Sequence, residues 1–281
     1  MIISTTILCS LSAWIGVSHA QLPGLFNITT FPNEQKDNVT KWLAEARTTA
    51  GVDLYPHFAH RCILGQVYPE LSRAAQTPGF VTPREVFSRF YFIGQSAVSS
   101  WAYDIDEGLV VFDALNNAEE AEKILLPTLE TLGFTGTDIK HLIVTHEHFD
   151  HYGGARWLQS NRPRHTPGTV STIFSVYDDG VEHKAGFYGG VGTPSEATAK
   201  VRQIASFNRF ADLGLEAGVD TLIANHQTMD RSLFHFGLLE HRPSGSEHPF
   251  VIGADAVERY FRFNAQCVRV KAARDDQDLQ I

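Results

Sequence analysis

Runs of β-branched and aromatic residues mark the beginning of the packed core. Three of them, at positions 86–93, 97–103 and 109–113, have the length of β-strands. The sequences Gly94-Gln95-Ser96 and Asp106-Glu107-Gly108 lie between these runs and are typical of turns. The pattern therefore predicts a meander of three short strands.

The spacing of apolar residues then changes to that of an amphipathic helix. This helix is predicted to be capped at Asn116-Asn117, to continue to Leu132 and to stop at Gly133. An apolar run over 139–145 follows directly. It predicts a buried strand.

The second half of the chain repeats this order. We predict a hairpin from the runs 170–177 and 181–188, and a long helix over 194–215. A strand over 220–225 and a final helix over 255–272 complete the pattern. Because strands followed by helices occur twice, the order favours two β-sheets packed together with helices outside.

The first twenty residues differ from the rest of the chain. Positions 2–17 are mostly apolar and uncharged, and Ser18-His19-Ala20 supplies the small residues of a signal-peptidase site. We predict that residues 1–20 are a removed signal peptide, so that the mature chain is secreted without a membrane anchor. The alternative, an uncleaved anchor, is disfavoured because the run is shorter than the roughly 20 apolar residues of a membrane span.

The region from 21 to 85 precedes the main domain, which we place at 86–281. A helix over 34–50 is predicted to end at Gly51, and the proline-containing stretch 51–85 is predicted to be an irregular lead-in.

Two features of the mature chain bear on secretion. Asn-x-Thr sequons at Asn27 and Asn38 predict N-linked carbohydrate in a eukaryotic secretory pathway. Cys62 and Cys267 remain after signal removal. An oxidising compartment would permit them to pair, but the sequence leaves their pairing open.

Composition limits the kind of partner. The 281 residues, 43% of them apolar, suffice for an ordinary globular core of one large domain or two small ones. A net charge of −9 leaves no basic stripe for a phosphate backbone, so we expect no nucleic-acid partner. Chemistry on a small molecule is favoured.

The strongest chemical signal is the run Thr145-His146-Glu147-His148-Phe149-Asp150-His151. A divalent metal such as zinc binds neutral imidazole nitrogens and carboxylates. In an extended loop His146 and His148 would point the same way and hold one ion, while Asp150 and His151 would face a neighbouring position. The alternative, a surface cluster of polar residues, is disfavoured by four ligand-type side chains within six residues.

This run resembles the signature of the metallo-β-lactamase-fold hydrolases. The segment His165-Thr166-Pro167-Gly168 resembles the family's later His-Thr-Pro-Gly stretch, and Leu222-Ile223-Ala224-Asn225-His226 is similar to the segment that carries its last histidine. The resemblance spans roughly 86–230 and is strongest to the β-lactamase branch with three histidines on the first zinc. It implies an α/β fold, a four-layer αββα sandwich, for the hydrolase domain.

The resemblance also implies a site with two zinc ions. By position, His146, His148 and His165 would bind the first ion, and Asp150, His151 and His226 the second. A water bridging the ions would be deprotonated near neutral pH and attack the carbonyl of a small-molecule acyl substrate.

Two aspartates have further roles by this resemblance. Asp150 would orient the attacking water and pass a proton to the leaving group. Asp113 resembles a residue that braces the cluster through hydrogen bonds, although a turn aspartate at a strand end is the alternative interpretation.

The chain departs from the family between two of these motifs. Only thirteen residues, 152–164, separate His151 from His165, and Arg164 stands where relatives generally have Gly. Relatives place several strands and a helix there, and one βαβ unit alone takes about 30 residues. We therefore predict a fold that is incomplete in its middle, with an uncovered sheet edge, a loose metal site and low stability.

Three interpretations follow. The preferred one is a secreted zinc hydrolase of a lactam, lactone or thioester bond. A thioesterase or lactonase of secondary metabolism would have the same site, and a degenerate, non-catalytic member would keep only the fold. The sequence leaves open the substrate, the oligomeric state and the metal in vivo, because carboxylate and imidazole also suit iron and manganese.

Overall fold

The computed structural model describes residues 31–74, 76–161, 170–190 and 192–280. The predicted signal peptide, the sequon at Asn27 and the predicted ligand His165 lie outside the described residues. Asn38 is exposed on the first helix.

The first sheet has five strands arranged in chain order. Neighbouring strands are antiparallel except for the last pair, which is parallel. The strands are β1 (Arg84–Phe87), β2 (Phe90–Phe92), β3 (Trp101–Ile105), β4 (Gly108–Phe112) and β5 (Ile139–Ile143).

The meander differs from the prediction in its first two runs. The run over 86–93 forms two strands, because the chain reverses between β1 and β2 where Arg89 adopts a φ of 64°. The run over 97–103 begins its strand only at Trp101, since Gln95 N–H donates to the Val98 carbonyl at 2.9 Å and closes a turn before it.

The second sheet has three strands, β6 (Thr172–Asp178), β7 (Val181–Phe187) and β8 (Thr221–Ile223). The first two form the predicted hairpin, and Asp179 and Gly180 both have positive φ at its turn, as a tight two-residue turn requires. β8 joins β7 in parallel.

Helices lie outside both sheets. The first sheet is covered by α5 (Leu126–Thr131), α7 (Ala155–Asn161) and the π-helical segment Ala121–Leu125, which follows the short helix α4 (Ala118–Glu120). The second is covered by α1 (Lys36–Ala50), α8 (Ala197–Ala217) and α11 (Ala254–Arg274). Shorter helices are α2 (Tyr55–Phe58), α3 (Pro69–Ala74), α6 (Phe149–Tyr152), α9 (Gln227–Asp230) and α10 (Ser232–Glu240).

The three long predicted helices are confirmed as α1, α8 and α11 with ends shifted by a few residues. The helix predicted from Asn116-Asn117 to Leu132 is interrupted. Its cap is as expected, because the Asn117 side chain accepts the Glu120 N–H at 2.9 Å, but Ala121–Leu125 is π-helical between α4 and α5.

The stretch 51–85 is more regular than predicted. It contains α2, a π-helical segment at Ala59–Leu64 and α3. The prediction of an irregular lead-in was wrong. Pro56 and Pro69 lie in the first turns of α2 and α3, where a backbone N–H would have no partner within the helix, so its absence does not weaken the helix. Cys62 in the π-helical segment forms a disulfide with Cys267 of α11.

Aromatic side chains fill the space between the two sheets. Phe112 of β4 stacks on Phe187 of β7 with ring centroids 5.5 Å apart, and Phe90 stacks on Trp101 at 5.2 Å. With the two helical layers, this core gives the predicted four-layer αββα sandwich. Among the described helices, none is both long and apolar enough to cross a bilayer.

Candidate metal centre

The histidine run lies where β5 gives way to a loop at the edge of the first sheet. After β5 the chain passes through a short loop to His148, whose backbone is extended and which is the N-cap of α6. The single turn of α6 then contains Asp150 and His151, and His151 is almost completely buried. The change from extended to helical backbone is why the run divides into two sets of side chains.

The first set contains His146, Glu147 and His148, whose ligand-type atoms lie within 4.8 Å of one another. The rings of His146 and His148 are 4.0 Å apart, as expected for alternate residues of an extended loop. Both ring nitrogens of His146 are buried without a hydrogen-bond partner among the described residues; its Nδ1 lies 3.0 Å from Glu147 Oε2 but outside hydrogen-bonding geometry.

The state of His146 suits a metal ligand. Burial, followed by the neighbouring His148, lowers the pKa of His146 and favours the neutral imidazole. A buried imidazole whose nitrogens are both unsatisfied costs free energy, and a bound cation would remove that cost. The residues present therefore fit a divalent ion.

The second set contains Asp150, His151 and His226, again within 4.8 Å of one another. Asp150 Oδ2 lies 3.3 Å from His151 Nε2 and 3.4 Å from His226 Nε2. His226 reaches this place from the far sheet, because it follows β8 and precedes α9. The sheet packing thus brings together ligand-type residues that are 75 positions apart.

Each imidazole of the second set is oriented by a hydrogen bond from its Nδ1, the ring nitrogen that does not face Asp150. His151 Nδ1 donates to Asp113 Oδ2 at 2.8 Å, and His226 Nδ1 donates to the Ala97 carbonyl at 2.7 Å. Both hydrogen bonds leave Nε2 directed at the Asp150 carboxylate. Such outer hydrogen bonds are what fixes the tautomer and orientation of metal-binding histidines.

Asp113 is fully buried at the end of β4. Besides His151 it accepts hydrogen bonds from the Thr145 N–H at 2.7 Å and the Thr145 hydroxyl at 2.6 Å. The structure therefore places Asp113 in direct contact with the histidine run, at the position that a bracing residue needs.

The electrostatics of the second set favour positive charge. Burial alone would raise the pKa of Asp150, but hydrogen bonds with His151 and His226 outweigh it and hold this pKa well below its usual range. Burial alone would lower the pKa of His151, but Asp113 and Asp150 raise it to about 9. A cation bound among these groups would benefit from the same carboxylates.

One residue of this network was missed by sequence reasoning. The Thr145 hydroxyl donates to Asp113 and accepts from Asn225 Nδ2 at 3.0 Å, so Asn225 links the loop of His226 to the loop of His146. Its backbone carbonyl also accepts the Ser99 N–H at 2.8 Å. The position of Asn225 beside His226 in sequence is the only signal that could have indicated this role.

A glycine at the same place allows close packing. A Cβ atom on Gly189 would lie 2.0 Å from the Thr145 carbonyl oxygen, which is shorter than any non-bonded contact. The same carbonyl accepts the Val170 N–H at 3.1 Å. The backbone after β7 and the backbone before β6 thus both rest on the residue that precedes His146.

A cleft of about 630 Å³ lies beside the first set. This is the size of a small-molecule site. Gln203 of α8 fixes one wall by donating to the carbonyls of Gly190 at 3.1 Å and Gly192 at 2.6 Å. The polar side chains that line it, besides the two histidines, are Glu147, Ser171, Tyr188, Thr193, Arg202, Gln203 and Ser206.

The fold and the two sets of ligand-type residues define the class of protein. The family model of the metallo-beta-lactamase superfamily matches residues 93–242, more than half of the chain, so the chain belongs to this superfamily. Membership supports a metallo-hydrolase, and the superfamily typically binds zinc. No curated protein matches this chain in sequence.

Solved metallo-beta-lactamases share the fold. FEZ-1 from Legionella gormanii is 14% identical with a TM-score of 0.58, over 72% of this chain and 99% of FEZ-1. BJP-1, a subclass B3 enzyme of Bradyrhizobium japonicum, is 14% identical with a TM-score of 0.52, over 67% and 92%. A metallo-beta-lactamase of Cronobacter sakazakii is 17% identical with a TM-score of 0.51, over 70% and 94%.

Proposed function

We propose that this protein hydrolyses a lactam, lactone or thioester bond of a small molecule with two zinc ions bound. The observation that carries the proposal is the convergence of Asp150, His151 and His226, with both imidazoles oriented from behind by Asp113 and the Ala97 carbonyl. A cluster with a purely structural role would not need the Nε2 atoms of two histidines to face the same partly exposed carboxylate, that of Asp150.

We assign the ligands in two groups. His146, His148 and, from the family pattern, His165 would hold one zinc ion, and Asp150, His151 and His226 the other. Bound zinc would supply an activated water and polarise the carbonyl oxygen of the substrate.

The chain's own residues would position the reactants. Asp150 is the carboxylate of the second set, and it can accept a hydrogen bond from the attacking water and hold the proton that the water loses. The water oxygen adds to the acyl carbon, the carbon–nitrogen, carbon–oxygen or carbon–sulfur bond breaks, and the proton leaves with the departing group. Asp113 would keep His151 in the tautomer that leaves Nε2 facing the centre.

We also propose that the chain is secreted after cleavage at Ala20, with carbohydrate on Asn27 or Asn38. The Cys62–Cys267 disulfide and the exposure of Asn38 support this, since disulfides persist mainly in oxidising compartments. Intact-mass measurement on the protein from the medium should give an N-terminus at Gln21 and added hexose. A retained Met1 would contradict the proposal.

The proposed hydrolase function is tested by measuring metal content and turnover together. In buffer that contains zinc, the mature chain should bind about two zinc ions and should hydrolyse at least one member of a lactam, lactone and thioester panel. Chelation should abolish turnover and added zinc should restore it, with iron and manganese as the comparison metals. A chain that holds no metal would be a non-catalytic member of the superfamily.

A further inference from the structure

The loop between β5 and α6 changes direction at Glu147 and His148. In a fully extended chain, the Glu147 side chain would point away from the histidines on either side of it. In this protein the ligand-type atoms of His146, Glu147 and His148 all lie within 4.8 Å of one another. The bend therefore leaves the carboxylate on the same side of the loop as the two imidazoles.

The contact between Glu147 and His146 is close, but it is not a hydrogen bond. Glu147 Oε2 lies 3.0 Å from His146 Nδ1 outside hydrogen-bonding geometry. Both ring nitrogens of His146 are buried and have no hydrogen-bond partner among the described residues. Leaving buried polar atoms unsatisfied costs free energy, so this arrangement calls for a further group between the oxygen and the nitrogen.

The spacing of these two atoms suits ligands of one metal ion. Zinc binds imidazole nitrogen at about 2.0–2.1 Å and carboxylate oxygen at about 2.0–2.2 Å, so neighbouring ligand atoms around a tetrahedral ion lie roughly 3.3–3.5 Å apart. The separation of 3.0 Å between Oε2 and Nδ1 is close to this spacing. A cation beside both atoms would replace an unfavourable contact by two coordinate bonds.

A second carboxylate–histidine contact in the same centre provides a comparison. Asp113 is buried and accepts a hydrogen bond from His151 Nδ1 at 2.8 Å, which is the geometry of a carboxylate that orients a metal-binding histidine from outside. Glu147 lacks that hydrogen bond, and its side chain is 65% exposed at the edge of the cleft beside the first set. Its carboxylate can therefore reach an ion from the solvent side.

We propose that Glu147 is itself a ligand of the first zinc ion, beside His146 and His148. The inference rests on the proposed zinc centre and goes beyond it, because the family resemblance gives Glu147 no role. A carboxylate adds a negative charge to a set that otherwise holds the ion through neutral imidazoles. Three consecutive residues of one loop then supply most of the grip on this ion.

Stepwise zinc affinities test the ligand role without reference to turnover. Competition with a chromophoric chelator gives two binding steps in the mature chain. His148→Ala identifies the step that belongs to the first ion, and His226→Ala identifies the other. Glu147→Gln should weaken the first step by at least about tenfold and leave the second unchanged. Glu147→Asp keeps a carboxylate and should retain part of the affinity.

Glu107→Gln is the matched control. Glu107 is exposed in the turn between β3 and β4, at the opposite end of β4 from Asp113, and its substitution removes the same charge far from the centre. Both zinc affinities of this variant should equal those of the wild type. A loss here as large as in Glu147→Gln would attribute the effect to net charge and overturn the inference.

The comparison of Glu147→Gln with Glu147→Ala separates a ligand from an orienting residue. Glutamine keeps an acceptor oxygen of similar shape for a hydrogen bond from His146 but lacks the charge of a carboxylate ligand. If Glu147 only oriented His146, Glu147→Gln would keep wild-type zinc affinity and only Glu147→Ala would lose it. That result, or wild-type affinity in both variants, rejects the ligand role.

The preference among metals gives a second readout. Carboxylate ligands suit manganese better than imidazole does. Glu147→Gln should therefore reduce the manganese affinity of the first site by a larger factor than its cobalt affinity. Equal losses for the two metals would contradict a direct bond from the carboxylate.

The outcome is separable from that of the hydrolase test. Wild-type zinc affinity of Glu147→Gln in a chain that turns over a panel substrate would reject the ligand role and leave the hydrolase intact. Loss of the first zinc step in Glu147→Gln, with no panel substrate hydrolysed by the wild type, would support the ligand role and reject the hydrolase. A wild-type chain without a first zinc step would overturn the inference.

Discussion

At the scale of single residues, the centre includes side chains on the loop after β5 and on the short helix α6 that serve chemistry more than packing. His148 is exposed and Asp150 is only partly buried, so neither contributes much to the core. Removing either should abolish hydrolysis and leave the fold in place.

The test compares His148→Ala and Asp150→Ala with His141→Ala. His141 is an exposed histidine of β5 outside both ligand sets, so it controls for the loss of any imidazole near the site. Far-UV circular dichroism should be nearly identical for all three variants, and only the control should hydrolyse the substrate. Wild-type activity of His148→Ala and Asp150→Ala would contradict the assignment of His148 and Asp150 as metal ligands.

A second prediction at the scale of single residues concerns Asn225. It holds the loops of the two ligand sets together through the Thr145 hydroxyl, and both residues are completely buried. Asn225→Ala should weaken zinc binding by about 10–100-fold, the usual effect of losing an outer hydrogen bond. Thr145→Val should do the same, whereas Thr145→Ser should retain most of the affinity.

A double-substitution cycle separates this coupling from general damage. If the two residues act through one hydrogen bond, Asn225→Ala with Thr145→Val should cost less than the sum of the single effects. Ser99→Ala is the control, because the Ser99 hydroxyl has no hydrogen-bond partner among the described residues while its backbone N–H still binds Asn225. Additive losses of zinc affinity would place Asn225 outside the linkage.

At the scale of elements, the connection from α7 to β6 contains His165, the predicted third ligand of the first zinc ion. α7 ends at Asn161, and Val170 is already bound to the Thr145 carbonyl beside the histidine run. The chain must return to the site within the eight residues 162–169, which include His165. An extended chain covers at most about 3.3–3.6 Å per residue, so these eight residues can span no more than about 29 Å.

We predict that this short connection leaves the first ion weakly bound. A chelator should then remove one zinc ion readily, and activity should depend on added zinc. Inserting the strands and helix of a full-length relative between Gln159 and His165 should tighten the ion and raise the unfolding temperature together. An insertion of the same length made of Gly and Ser is the control, and it should do neither.

Tight binding of two zinc ions by the chain as it stands, with cooperative unfolding at an ordinary temperature, would show that the short connection is a working variant. The predicted missing block would then be wrong.

At the scale of the whole molecule, the disulfide joins distant parts of the chain. Cys62 and Cys267 are separated by 205 positions and tie the π-helical segment to α11. Cross-linking a loop of this length restricts the unfolded chain, so Cys62→Ser with Cys267→Ser should lower the free energy of unfolding by about 2–5 kcal/mol. Denaturant unfolding measures the loss.

Reduction is the control for this prediction. Wild type in reducing agent should fall to the stability of the double variant, and the variant itself should not change on reduction. A drop in the variant as well would show that the reducing agent acts elsewhere, for example by removing zinc.

Much of the layered fold was predictable from the sequence alone. The spacing of apolar residues predicted the long helices α1, α8 and α11 and the hairpin β6–β7. Each of these elements buries one face, and the spacing shows which residues lie on that face. Local conformation was predicted less well. Two prolines in 51–85 begin helices, and a proline pattern does not distinguish a helix start from a break.

The metal centre was also predictable from the sequence only in part. The run from His146 to His151 was visible in the sequence because its ligands are close along the chain and a metal needs those residue types. The family resemblance implied that His226 joins Asp150 and His151 and that Asp113 braces the cluster. The tertiary structure alone decided that Asp113 binds His151 Nδ1, that the Ala97 carbonyl binds His226 Nδ1, and that Asn225 joins the loops. These contacts depend on the packing of one sheet against the other, and a sequence pattern carries the identity of a side chain but not its distance from residues across a core.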